Sequence, residues 1–332
     1  MKKSIEYLKA SLFAGAIGDA LGWPIEFKDI EYIRRNYGTE GCTDLILNSR
    51  GFAEVTDDTQ MTLFTLEGIV NHLQFKRFDS LKESLHHSYL RWYKTQNSKH
   101  NHRSELHFDL LNYPALYYQR SPGVTCLTAL ARKVAGTVEK PINDSKGCGG
   151  VMRVAPIGYF FNPDQAFDHG CDAAAITHGH PLGYLSAGAL AYLMAWLFEG
   201  ETLQSATEKV ITKLERYPAA QPLKSLLVSA VELSRSSQED EKCIRQLGAG
   251  WVAEEALAIA LYCSLRHSMN LHQALIAAVN HSGDSDSTGS ITGNILGAVL
   301  GMGAIEEEWI RNLDVTEIVI DFLDVVEHRD KS

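Results

Sequence analysis

The sequence predicts an all-α protein, on three observations. Apolar residues recur at helical spacing along most of the chain, and no series of segments keeps the two-residue alternation of strands. Loops containing Gly and Pro separate these segments. Small residues also recur at every fourth position in three rows: Ala10, Ala14, Gly18 and Gly22; Gly183, Ala187, Ala191 and Ala195; and Gly289, Gly293, Gly297 and Gly301. Such spacing puts a smooth stripe on one helix face, along which a neighbouring backbone can approach closely. Because Gly in a helix interior costs about 1 kcal/mol relative to Ala, the rows require close packing or ligand approach in return. Three smooth helices are expected to form one tight central bundle.

From the N-terminus, a helix carrying the first row breaks at Pro24. Amphipathic spacing then predicts helices at Thr59 to Phe75, Phe78 to Thr95, Val124 to Ala135 and Pro163 to Thr177. Pro181 to Phe198 carries no formal charge and approaches the roughly 20 residues of a membrane span. It reads as a buried helix, because it contains Ser186 and many Ala and Gly, is flanked by His178 and His180, and has neither a second span nor a Lys/Arg-rich loop beside it. Further helices are predicted at Leu203 to Arg216, Leu223 to Ser234, Val252 to Ser268, Leu271 to Asn280, the Gly-rich run after Asp284, and Val315 to Glu327. Asn97 to Arg103 and Ser234 to Lys242 are polar and lack an apolar period, so both read as surface loops. No solenoid-length repeat and no low-complexity tract is present.

At 332 residues the chain has room for one elaborated domain or for two. With 45% hydrophobic and 22% charged residues it can bury a large core without disulfides. A formal net charge of −10 argues against a nucleic-acid groove, which needs clustered Lys and Arg. Anionic ligands would have to be held locally by backbone amides, helix N-termini or bound cations. The cysteines Cys42, Cys126, Cys148, Cys171, Cys243 and Cys263 are scattered, with no zinc-like spacing, which suits a reducing compartment. The first residues lack an apolar run and cleavage site, so the expectation is no signal peptide and a cytoplasmic location, with no membrane partner.

Two acidic clusters stand out: Thr56-Asp57-Asp58-Thr59 before one predicted helix and Asp284-Ser285-Asp286-Ser287-Thr288 before the Gly-rich one. Capping accounts for one oxygen in each. It does not account for adjacent or alternating acids, which repel one another unless a cation or protons neutralise them. If the clusters meet, roughly four carboxylates with hydroxyls form an oxygen-only site suited to Mg²⁺, Mn²⁺ or Ca²⁺ and not to zinc. Glu26, just past Pro24, reads by itself as a surface acid. Lys146-Gly147-Cys148-Gly149-Gly150 is a Gly-rich turn whose amides could make an anion-binding nest, although most such loops are simply turns.

In order, the motifs are Gly18-Asp19-Ala20-Leu21-Gly22 with Glu26; Thr56-Asp57-Asp58-Thr59-Gln60-Met61; Lys146 through Pro156; Thr177-His178-Gly179-His180-Pro181; and Gly283-Asp284-Ser285-Asp286-Ser287-Thr288-Gly289. Together they resemble the ADP-ribosylglycohydrolase family, which includes dinitrogenase reductase-activating glycohydrolases and ADP-ribosylarginine hydrolases. The likeness runs from about Glu6 to about Gly303, which implies a single family domain over residues 1–332. It also implies a compact orthogonal helical bundle with a cleft for two Mg²⁺ (or Mn²⁺) ions. By position, Thr56, Asp57, Asp58, Asp284, Asp286 and Ser287 match the family's metal ligands, with Ser287 standing where many relatives have Thr. Glu26 matches an acid near the distal ribose, and Asp109 is the candidate for a second catalytic acid. Gly147, Cys148 and Gly149 match the pyrophosphate loop, and His178 a ligand-holding position. The implied activity is removal of ADP-ribose from a protein side chain. Arginine linkage comes first, because Asp-Ser-Asp-Ser-Thr-Gly is similar to the arginine-specific branch. The expected partners are an ADP-ribosylated protein or small conjugate, acted on by a monomer, with an ADP-ribosyltransferase toxin as the opposing activity. Serine-linked or O-acetyl-ADP-ribose hydrolysis, a non-catalytic ADP-ribose-binding or immunity protein, and a crystallin-like structural role are the alternatives.

Overall fold

Side-chain caps set the start of several helices in this chain. The structure, a computed structural model, describes residues 4–100 and 109–329. In order come α1 (Ile5–Gly22), α2 (Ile30–Tyr37), α3 (Asp57–Leu73), α4 (Leu81–Asn97), α5 (Val124–Ala131) and α6 (Ile157–Phe160). Then follow α7 (Pro163–Ala175), α8 (Pro181–Phe198), α9 (Leu203–Leu214), α10 (Gln221–Ser234) and α11 (Asp240–Leu247). The last are α12 (Ala253–Arg266), α13 (Leu271–Val279), α14 (Ser285–Leu300), α15 (Glu307–Asn312) and α16 (Thr316–Arg329). Strand-like pairing among the described residues is confined to two isolated bridges, Ala53 with Leu313 and Gly147 with Val252, so the fold is all-α.

Local chemistry explains where boundaries depart from the sequence reading. Helix α4 begins at Leu81, not Phe78, because the Ser80 hydroxyl accepts the Glu83 amide as N-cap. Helix α5 stops at Ala131, four residues early, where Lys133 turns to a left-handed φ of 57°. Helix α2 was not anticipated: it is one short amphipathic element, capped by Asp29 and burying Ile30 and Ile33. The loop assigned to Ser234 to Lys242 gives way to α11 at Asp240, whose carboxylate accepts the Tyr262 hydroxyl at 2.6 Å. Of the other assigned loop, Asn101 to Arg103 lies outside the described residues, and Asn97 ends α4.

The first and third small-residue rows face each other. Helices α1 and α14 pack along their length, running in opposite directions. A Cβ added at Gly297 would lie 2.3 Å from the Ala10 carbonyl oxygen, at Gly293 2.0 Å from that of Ala14, and at Gly18 2.1 Å from that of Gly289. At the far end a Cβ on Gly22 would lie 2.3 Å from the Ser285 oxygen. Only residues without side chains permit that approach. The second row departs from the single-bundle expectation. Helix α8 turns it toward α7, where Gly170 sits against the Ala187 oxygen and the Ala191 methyl, and toward α6, where Gly158 meets the Ala195 amide. Two close-packed pairs result, α1 with α14 and α7 with α8, which meet where α8 also touches α14; a smooth face fits any other smooth face, and α7 supplies one at Gly170. The α8 segment, the only described helix long and apolar enough to cross a membrane, is 83% buried within the protein.

Candidate metal centre

The α1–α14 pair ends where the acids begin. At the C-terminal end of α1, Asp19 is buried, and its carboxylate accepts the amides of Thr56 and Thr59, each at 3.0 Å, and the Thr59 hydroxyl. Those bonds hold the first turn of α3 against α1. The Thr56 hydroxyl caps the helix by accepting the Asp58 amide at 3.2 Å. With the turn's amides so occupied, Asp57 and Asp58 are left to other partners. Asp57 accepts the Gly123 amide at 3.0 Å, and Asp58 is hydrogen-bonded to Ser287 of α14.

The start of α14 is built the same way. Asp284 is the N-cap, accepting the Ser287 amide at 3.3 Å, and the Cys148 thiol donates to its other oxygen at 2.9 Å. The Asp284 amide donates to the Ala249 carbonyl at 2.9 Å. The first turn of α14 carries Asp286, so the acids of both clusters lie within capped first turns and not in loose loops. Glu26 follows a 3-10 turn, Trp23–Ile25, and is buried, contrary to the surface acid expected of it alone. Its Oε2 accepts the Ser121 hydroxyl at 2.6 Å.

Acids from opposite ends of the chain therefore converge. Glu26, Asp284 and Asp286 each bring a carboxylate oxygen within 4.8 Å of the others, and Asp57 and Asp58 interact electrostatically with Asp284. Burial pushes Asp57 up to about 8, helped by the charges of Asp19 and Asp284. Burial likewise pushes Glu26 up to about 8 against the Ser121 hydrogen bond, and Asp19 up to about 6 against the pull of its Thr56 and Thr59 hydrogen bonds. Asp58 and Asp286 are also raised well above the ordinary carboxylate range, by burial first and by neighbouring carboxylates next. Such crowding is stable only if protons or cations sit among the oxygens. Asp58 Oδ1 is buried with no hydrogen-bond partner, an acceptor left to face the cluster. An all-oxygen, carboxylate-rich donor set with an orphaned acceptor fits hard divalent cations.

Other expected site residues lie differently. Asp109 is ion-paired with Arg91, which also clamps Glu67, and it accepts the Leu111 amide at 2.9 Å. Glu67 lies ten residues along α3 from Asp57, about 15 Å by helical rise, so Asp109 belongs to a separate ion network. The Gly-rich loop is less open than a free nest. The Cys148 amide donates to the Trp251 carbonyl at 3.3 Å, and the Gly147 amide faces the Ser145 hydroxyl at 3.4 Å. His178 is 1% exposed and lies beneath that loop, where a Cβ on Gly149 would come within 3.2 Å of its ring. Its Nδ1 is 2.8 Å from the Thr177 hydroxyl, and burial lowers it to about 3, so it is a neutral support for the glycines. Asp19, Ser121 and Gly123 were not anticipated at the site. Asp19 had a signal, as the one charged residue in the small and apolar C-terminal half of its helix. The Ser121-Pro122-Gly123 turn had none.

A model of the family described as ADP-ribosylglycohydrolase matches residues 2–331. The ADP-ribosylarginine hydrolase Tri1 of Serratia proteamaculans is 24% identical over 315 residues, 94% of this chain and 76% of that protein. The ADP-ribosylhydrolase ARH3 of Homo sapiens is 29% identical over 192 residues, 50% of this chain and 53% of that protein. A solved structure described as an ADP-ribosylglycohydrolase-related protein complex superposes with a TM-score of 0.59 at 25% identity, covering 96% of this chain and 95% of the other.

Proposed function

We propose that this chain, which belongs to the ADP-ribosylglycohydrolase family, is a Mg²⁺-dependent hydrolase that removes ADP-ribose from modified protein side chains, arginine first. The observation that carries the proposal is the burial together of Glu26, Asp284 and Asp286, whose oxygens lie within 4.8 Å of one another, with Asp57 and Asp58 interacting electrostatically with Asp284 and Asp58 Oδ1 unsatisfied. The similarity to an ADP-ribosylarginine hydrolase over nearly the whole chain supports the choice of linkage.

In this reading Asp57, Asp58, Asp284 and Asp286, with the Thr56 and Ser287 hydroxyls, would hold two Mg²⁺ ions, which Mn²⁺ could replace. Bound there, such ions would neutralise the acids, polarise ribose hydroxyls and lower the pKa of a water. Asp19 keeps the α3 turn from opening when the cluster takes up or loses charge, since it binds two backbone amides of that turn as well as the Thr59 hydroxyl. Glu26, oriented by Ser121, would take a proton from the attacking water as its oxygen bonds to C1″ and the bond from C1″ to the nitrogen breaks, and would then return that proton to the departing guanidine, which leaves as guanidinium. This reading gives Asp109 no part in that step, since its carboxylate is ion-paired with Arg91 and accepts the Leu111 amide. The substrate is then an ADP-ribosylated protein or a small conjugate, and the cellular role is to oppose an ADP-ribosyltransferase or toxin.

The test offers Mg²⁺-loaded protein arginine-, serine- and acetyl-linked ADP-ribose in parallel. Turnover of the arginine conjugate with Mg²⁺, abolished by chelation, is the expected result. Preference for the serine or acetyl ester overturns the linkage, and tight ADP-ribose binding without hydrolysis of any conjugate makes the protein a binding module.

A further inference from the structure

Directly beside the acid cluster, two aromatic rings stand in solvent. Phe27 is 65% exposed and Trp251 41%, yet the rings stack on one another, with centroids 5.1 Å apart and planes 11° from parallel. Burial does not explain Phe27, since most of its surface faces water. Nor does its backbone prefer this place: Phe27 sits at a left-handed φ of 62°, which an aromatic residue rarely adopts. It is held there by its amide, which donates to the Gly283 carbonyl at 3.3 Å, one residue before Asp284.

Trp251 reaches the same spot from the other side. Its carbonyl accepts the Cys148 amide, and the Cys148 thiol in turn donates to Asp284. The residue before it, Gly250, has a φ of 84°, and a Cβ there would lie 3.2 Å from the Asp284 Cβ. The pair therefore joins the segment carrying Glu26 to the turn carrying Asp284, and it forms an open π-surface at the rim of a concentration of carboxylates. A planar cation is the group this combination recognises: the ring faces are electron-rich, flat and open to solvent.

We infer that the Phe27–Trp251 stack is the platform on which the guanidinium of the leaving arginine rests, and so a determinant of linkage specificity. The inference builds on the hydrolase reading above, for the same site, and adds the group that the rim selects. A neutral serine hydroxyl gains nothing from a π-face, whereas a guanidinium is attracted to it and is shape-matched to a flat ring.

Two measurements test it. In steady state, Phe27→Ala and Trp251→Ala should each raise KM for the arginine conjugate by about five- to tenfold, as expected for loss of a cation–π contact, with kcat within about twofold. Trp251→Phe should restore KM, and ADP-ribose and AMP inhibition should be unchanged in all three variants. In a direct titration, agmatine should saturably quench tryptophan emission, with the quench weakened in Phe27→Ala and lost in Trp251→Phe. Both residues are exposed, so the variants retain the fold, which circular dichroism checks. Arginine-conjugate turnover with KM unmoved by either alanine variant overturns the platform and leaves the hydrolase standing. Equal weakening of AMP and substrate makes the stack an adenine site and overturns it too, as does the absence of agmatine quenching. Agmatine quenching with no hydrolysis of any conjugate sustains the platform and sinks the hydrolase.

Discussion

Substituting Gly22 and Gly297 separately by Ala distinguishes a contact that only holds the fold from one that also shapes the metal centre. Both glycines lie on the α1–α14 contact, and an added Cβ would sit 2.3 Å from a carbonyl oxygen in each case, Ser285 for Gly22 and Ala10 for Gly297. Restoring ordinary contact, near 3.4 Å, requires the two backbones to part locally by roughly 1 Å. Helix propensity favours Ala by about 1 kcal/mol at an interior position and by less at Gly22, the last residue of α1. Overpacking of a rigid contact costs about 1–3 kcal/mol, here at the upper end because the obstructing atoms are backbone. The net expectation is a loss of about 2 kcal/mol in each variant, read as a lowered urea midpoint at unchanged m-value. The two should part company in metal binding. A Cβ on Gly22 would also come 2.5 Å from the Asp286 amide, so that turn is displaced, and Mg²⁺ tolerates poor geometry badly. Gly297 lies eleven residues further along α14, about 16 Å from Asp286. Calorimetric Mg²⁺ affinity should fall at least about tenfold in Gly22→Ala, or 1.4 kcal/mol, and stay near wild type in Gly297→Ala. Stability equal to or above wild type in both variants would refute the close approach. Equal Mg²⁺ affinity in two destabilised variants would refute the link from helix contact to acid geometry.

Asp57→Ala and Asp286→Ala should each abolish Mg²⁺ heat in calorimetry and lower turnover by more than about 100-fold while the far-UV spectrum persists; undiminished Mg²⁺ binding would remove these residues from the ligand set. Metal-free protein should lose stability as pH rises. Asp57 and Glu26 are pushed up to about 8 in the fold from ordinary values near 4. Between those limits the folded state binds more protons than the unfolded chain, and each such acid removes about 1.4 kcal/mol per pH unit. Their contribution is therefore full below about pH 4 and lost toward pH 8. Saturating Mg²⁺ should raise Tm more at pH 8 than at pH 5, and an equal rise at both would contradict it. Asp109→Asn should cost about 1–3 kcal/mol by loosening the Arg91 network yet leave kcat/KM within about twofold; a collapse of kcat would return Asp109 to the reaction.

Much of this molecule is visible in its sequence, where the determinants act over a few residues. Caps such as Ser80 and Thr56, the apolar period of the helices and the four-residue rows all depend on neighbours within about one helical turn. Read in order, the motifs also carry the family. Even the likeness of the two acidic turns is local, because both are first turns of capped helices with acids in excess of what capping uses.

Partnership was decided by the tertiary structure. A row of small residues says that something comes close and does not say what; α1 met α14, while α8 met α7. Ser11 donates to the Asn294 carbonyl across 283 positions of sequence, and no periodicity encodes such a bond. The same holds for Asp109, captured by Arg91, for the Gly-loop amides taken by Ser145 and Trp251, and for Phe27 laid on Trp251. The sequence by itself determined which residues carry oxygen, charge or no side chain at all, because those properties belong to each residue alone. Which of them face one another depends on how the whole chain fills space, and only the packed helices settle that.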